Sequence, residues 1–105
     1  MAGKIEILSV KKFDDFISKG TTVVDFYADW CGPCKMMAPA FERASAKVKD
    51  VKFAKVDVEG NQEIAMRYGV LSIPTTIVFK NGNVKDMHTG ALSEAEIVRL
   101  AEKYK

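Results

Sequence analysis

The stretch Val23-Val24-Asp25-Phe26-Tyr27-Ala28-Asp29-Trp30-Cys31-Gly32-Pro33-Cys34-Lys35 runs from an apolar segment into both cysteines of the chain. From Thr22 to Ala28 the residues are β-branched, aromatic or otherwise apolar, which predicts a strand covered on both faces, with Asp25 as its one break. Beyond the cysteines a helical pattern begins near Cys34, because Cys34, Met37, Phe41, Ala44 and Val48 fall on one face. Lys35, Glu42, Arg43, Lys47 and Lys49 fall elsewhere. Pro39 lies inside that pattern and should kink the helix rather than end it, since the period continues past it. Two thiols two residues apart can close a small ring when the second lies in the first turn of a helix. Closing so short a loop removes little entropy from the unfolded chain, so a reversible role explains the pair better than a structural one.

Outward from this stretch, Ile5 and Ile7 alternate with Lys4 and Glu6, the period of a short edge-type strand with one buried face. Ser9 can cap a helix from about Val10 to Lys19, striped by Val10, Phe13, Phe16 and Ile17 and closed by Gly20. Val51 to Val58 is a strand by composition, and Asn61 caps a short helix that runs through Tyr68 to Gly69. Two further runs, Thr75 to Phe79 and Val84 to His88, flank Asn81-Gly82, the strongest short-range signal for a hairpin. Ser93-Glu94-Ala95-Glu96 fits a capping box, followed by a helix striped with Ile97, Leu100, Ala101 and Tyr104. The order β-α-β-α-β-α-β-β-α predicts an α/β fold with a central mixed five-stranded sheet and four helices on its two faces, entered through right-handed crossovers.

The chain has 105 residues, enough for one domain spanning 1–105 that buries its own core. No apolar run approaches the roughly 18 residues that cross a membrane. Met1 to Glu6 lacks the apolar core of a secretory leader, so a cytoplasmic location is expected. A net charge of +2, without blocks of like charge, argues against nucleic acid or a membrane surface as partner. Two cysteines are too few for a secreted disulfide scaffold, and a Cys-x-x-Cys in a reducing compartment points to redox or metal chemistry. A zinc site needs two more ligands, for which the chain offers only His88 and carboxylates, so no metal is expected.

Cys31 falls at or just before a helix start, where free N–H groups and the positive end of the helix dipole favour a thiolate. Cys34, one turn on and facing the core, is placed to resolve a mixed disulfide formed on Cys31; greater exposure of Cys31 is expected to order these roles. Pro33 suits the first turn because it has no N–H to leave unpaired, and Gly32 keeps bulk away from an approaching chain. Trp30, directly before Cys31, reads either as core filling or as part of a contact surface. A carboxylate buried at Asp25 should have a raised pKa. It is placed either to accept a proton from Cys34 or to pair structurally with a lysine, Lys55 of the next strand being the nearest choice. Ile73-Pro74-Thr75 puts a proline at a strand start, which implies an edge, a bend or a cis bond.

Trp30-Cys31-Gly32-Pro33-Cys34-Lys35, with Asp25 before it, Pro39, Lys55, Ile73-Pro74-Thr75, Phe79-Lys80-Asn81-Gly82 and Gly90, resembles the thioredoxin family over essentially the whole chain. The resemblance implies a thioredoxin fold and a protein dithiol–disulfide oxidoreductase without cofactor, acting on disulfide-containing target proteins as a monomer. A thioredoxin reductase would recycle it, whether one using NADPH, one using ferredoxin or another flavoprotein. It implies that Cys31 and Cys34 form the redox-active disulfide, that Cys31 is the nucleophile and Cys34 the resolving thiol, and that Asp25 assists proton transfer while interacting with Lys55. It also implies that Pro74 follows a cis bond against the cysteines, that the backbone of Ile73 pairs with the substrate chain, and that Trp30, Gly32, Pro33, Ile73, Pro74, Gly90 and Ala91 form the docking surface. Gly-Pro between the cysteines resembles the reducing members more than the oxidising or isomerising ones. Tyr27 stands where many members carry Trp, and Thr89 where some carry an apolar residue. The rival classes are a secreted oxidase or isomerase on the same fold, and a redox-silent binding module.

Overall fold

Thr21–Tyr27 forms β2, whose first six residues are all buried, as a strand between two layers must be. The structure, a computed structural model, describes residues 4–105; Met1 to Gly3, half of the stretch read for a leader, lie outside the described residues. Along the chain β2 is preceded by β1 (Ile5–Ile7) and α1 (Val10–Ile17). It is followed by α2 (Gly32–Lys47), β3 (Val51–Asp57), α3 (Gln62–Arg67), β4 (Thr75–Lys80), β5 (Asn83–Thr89) and α4 (Glu94–Tyr104). The sheet order is β1-β3-β2-β4-β5. β1 and β2 run parallel to β3, β4 runs antiparallel to β2, and β5 runs antiparallel to β4, so the sheet is mixed as expected.

Period-two alternation on the central strands divides the core in two. Val24, Phe26, Ala54, Val56, Ile77 and Phe79 face one side with Phe13 and Ile17 of α1 and Ile64 of α3. Val23, Phe53 and Val78 face the other with Met37, Phe41 and Ala44 of α2 and Ile97 and Ala101 of α4. Edge-to-face pairs lock each layer: Phe13 with Phe79 at 5.6 Å between ring centroids, and Phe41 with Phe53 at 5.5 Å. α2 passes through Pro39 without ending, and the Ser93–Glu96 capping box of α4 is complete, with Ser93 Oγ accepting from the Glu96 N–H and Glu96 Oε1 from that of Ser93. Asn81 and Gly82 take the positive φ angles, +50° and +84°, that a tight hairpin turn requires.

Local details depart from expectation. α1 stops at Ile17, short of Lys19, because Ser18 folds its N–H and hydroxyl onto the Asp15 carbonyl. Ser9 occupies the N-cap position of α1 but its side chain caps nothing. Asn61 likewise occupies the N-cap position of α3 without a side-chain cap; its Oδ1 accepts from the Val10 N–H at 3.1 Å and its Nδ2 donates to the Asp57 carbonyl at 3.0 Å, tying the start of α1 to the end of β3. On β1, Ile7 is 67% exposed and Ile5 only half-buried, because the strand lies at the sheet edge and its buried anchor is the next residue, Leu8.

The ladder registers decide where loops converge. Phe26 of β2 pairs with Thr75 at the start of β4, and Thr75 pairs with Thr89 at the end of β5. The cysteine stretch, Pro74 and Gly90 therefore leave the sheet at one end.

Candidate active site

Cys31 is the N-cap residue of α2, with extended backbone, and its sulfur accepts the Cys34 backbone N–H at 3.2 Å. The Cys31 N–H donates in turn to the Ala28 carbonyl, and the Lys35 N–H to the Cys31 carbonyl, so strand end and first helical turn are joined directly. Gly32 and Pro33 open the helix, the proline where no intrahelical donor is needed. Cys31 and Cys34 form a disulfide, with Cα atoms 5.2 Å apart. The two cysteines are 4% and 3% exposed, so a greater exposure of Cys31 does not order their roles. What separates them is the amide: the first sulfur is capped by the helix start, and a thiolate there gains a donor and the positive end of the dipole.

Ala28, Cys31 and Cys34 form a small buried cluster flanked by Tyr27, Val58 and Ile73. The Ile73–Pro74 bond is cis, which selects one of the three readings of that proline, and Pro74 is buried. The Cys31 sulfur lies 3.9 Å from the Ile73 carbonyl oxygen. Gly90 donates its N–H to the Pro74 carbonyl at 2.8 Å, which brings the β5 end and Ala91 to the same place. Trp30 is 66% exposed, which rules out core filling. Around the disulfide, Trp30, Gly32, Pro33 and Ala91 are exposed, while Ile73 and Gly90 are half-buried.

Asp25 is fully buried, and neither carboxylate oxygen has a hydrogen-bond partner among the described residues. Burial pushes its carboxyl up from 3.8 to about 6, opposed by the positive charge of Lys55. Asp25 and Lys55 face each other in the β2–β3 register, yet no hydrogen bond joins them, so the closed structural pair is not formed. His88, on β5, lies 3.1 Å from Asp86. Residues that the sequence reading did not single out for chemistry also border the site. Tyr27 and Val58 pack on the cysteine cluster, and the alternation Asp25, Tyr27 along β2 is the signal that could have found the first. Thr76, opposite Asp25 on β4, buries a hydroxyl without a partner among the described residues.

Residues 4–103 match the family model described as Thioredoxin. The chain is 38% identical over 100 residues to a thioredoxin of Chlamydia caviae, covering 95% of this chain and 98% of that one. To a thioredoxin of Bacillus subtilis it is 41% identical over 95 residues, covering 90% and 91% of the two chains. Among solved structures, a mutant thioredoxin from Halobacterium salinarum superposes with a TM-score of 0.90 at 35% identity, covering 96% of this chain and 90% of that one. Family model, relatives and fold agree along nearly the whole length around a paired Cys-x-x-Cys, and the chain belongs to the thioredoxin family as a protein dithiol–disulfide oxidoreductase.

Proposed function

We propose that the 105 residues act as a single monomeric domain that reduces disulfides of target proteins in the cytoplasm and is returned to the dithiol by a thioredoxin reductase. The observation that carries this is the Cys34 N–H directed at the Cys31 sulfur at the start of α2, which stabilises a thiolate at Cys31 rather than at Cys34. In the reduced protein the Cys31 thiolate attacks one sulfur of a target disulfide, forming a Cys31–target bond and releasing the other target sulfur as a thiolate. Cys34 then gives its proton to the Asp25 carboxylate and attacks the Cys31 sulfur, releasing the second target sulfur. Two electrons pass from the dithiol to the target, and the protein is left with the Cys31–Cys34 disulfide. A reductase supplies the two electrons that reopen it.

Trp30, Gly32, Pro33, Ile73, Gly90 and Ala91 form the surface on which the target docks, with the buried Pro74 supporting it from beneath and the Ile73 backbone pairing with the target chain. The charge of Lys55 partly offsets the burial that favours the neutral form of Asp25. Reduction of insulin disulfides with dithiothreitol as electron source tests the function. Acceleration over dithiothreitol alone, lost in Cys31→Ser, is expected; a chain that accelerates nothing is a redox-silent module.

A further inference from the structure

The ammonium nitrogen of Lys55 stands 4.3 Å from the centroid of the Tyr27 ring. The β2–β3 register explains why it can. Asp25 and Tyr27, two residues apart on β2, face the same side of the sheet, Lys55 lies directly opposite Asp25, and Asp57 lies opposite Tyr27. The lysine can therefore reach the carboxylate across from it or the ring one step along, and it takes the ring, whose negative face attracts a cation. The same tyrosine packs against the Cys31–Cys34 cluster.

We propose that Tyr27 is a positioning residue for thiol–disulfide exchange: its ring anchors the Lys55 ammonium close enough to Asp25 for its charge to stabilise the buried carboxylate. An ammonium is strongly hydrated and its stem is flexible, so without the ring it moves out to solvent. Asp25 then loses the one positive charge that favours its ionised form. Because the anchored ammonium makes no hydrogen bond to the carboxylate, both oxygens stay open to a proton from Cys34. This coupling presupposes the proton-acceptor role proposed above for Asp25.

Other charged groups face the same region. Asp57 of β3 and Asp29, just beyond β2, act on Tyr27 together with Asp25. Glu42 of α2 shares a groove with Lys55, Ile5 and Ile7. α2 also brings Cys34 to the site, with Cys31 at its N-cap; from β4 Thr76 is uncharged, and on β5 His88, paired with Thr76, lies against Asp86. Asp29, Asp57 and Glu42 are all acidic, and the positive charge acting on Asp25 is that of Lys55.

The test is a carbon-13 titration of the Asp25 carboxyl in the oxidised full-length protein, where the cysteines do not titrate. Tyr27→Phe, which keeps the ring, should titrate as the wild type does. Tyr27→Leu and Lys55→Met should each raise the midpoint, changing the acid constant about threefold or more, and Tyr27→Leu should add nothing in the Lys55→Met background. A smaller change, a lowered midpoint, or the same rise in the Lys55→Met background would overturn the proposal. Should Tyr27→Leu not fold, the wild type decides: the Lys55 ε-methylene protons should be displaced upfield by the ring, and an undisplaced signal contradicts the anchor. The two ideas fail separately. Unchanged exchange rates in Asp25→Asn would remove the proton-acceptor role without touching this titration.

Discussion

The backbone N–H of Cys34 donates to the sulfur of Cys31 across 3.2 Å, so one cysteine of the pair caps the helix that holds the other. The donor comes from the first turn of the helix itself. A sulfur at an N-cap accepts a hydrogen bond and sits at the positive end of the dipole, and both favour the thiolate. Cys34, in the first turn of α2, has its own amide committed to its partner.

Unequal reactivity of the two thiols follows. In the reduced protein at neutral pH, iodoacetamide should label Cys31 about ten times faster than Cys34, since only a thiolate attacks. Peptide mapping by mass spectrometry after a short pulse reads the ratio, and equal labelling would contradict it.

Replacing the buried acid should stabilise the oxidised protein in a pH-dependent way. The folded carboxyl of Asp25 titrates near 6, above its ordinary 3.8, so the stability associated with its neutral form is fully present below 3.8 and is lost as pH rises through about 6. At roughly 1.4 kcal/mol per pH unit the full loss is about 3 kcal/mol. Asp25→Asn stays neutral throughout. Urea unfolding at pH 8 should show most of that gain, and at pH 4 only a small part of it.

Gly90 has φ of +105°, a region that side chains avoid, and nothing lies within 4 Å of a Cβ added there. The cost of Gly90→Ala is therefore backbone strain and not a clash, about 1–3 kcal/mol. Its N–H holds the Pro74 carbonyl, so target reduction should weaken along with the urea midpoint.

Trp30→Ala should separate docking from folding. The side chain is 66% exposed, so unfolding free energy should change by less than about 0.5 kcal/mol. KM for a protein disulfide should rise about fivefold or more, as loss of an aromatic anchor does at interfaces, with kcat little affected.

Much of this architecture was readable from local signals. The run Val23 to Ala28 announced a doubly covered strand, Asn81-Gly82 a hairpin and Ser93 to Glu96 a helix start, because in each the deciding interaction lies within a few residues. Where tertiary contacts decide, the sequence was silent. Asn61 looks like a cap but spends its amide on Val10 and Asp57, and Ile7 alternates as a buried residue would, yet lies on an edge strand left largely uncovered. The placement of Asp25 within β2, and of Cys31 and Cys34 at the start of the helix that follows it, was legible from spacing alone. Their near-equal burial was not, and neither was the choice of Lys55 between Asp25 and Tyr27, which depends on inter-strand register.

The central claim is that reduction passes through a covalent bond between Cys31 and the target. Its most direct test is to mix reduced Cys34→Ser and Cys31→Ser proteins separately with a disulfide-bonded substrate and weigh the products under non-reducing conditions. Cys34→Ser should accumulate a one-to-one adduct through Cys31, which dithiothreitol dissolves, and Cys31→Ser should accumulate none. An adduct found only with Cys31→Ser would reverse the roles of the two cysteines and contradict the account.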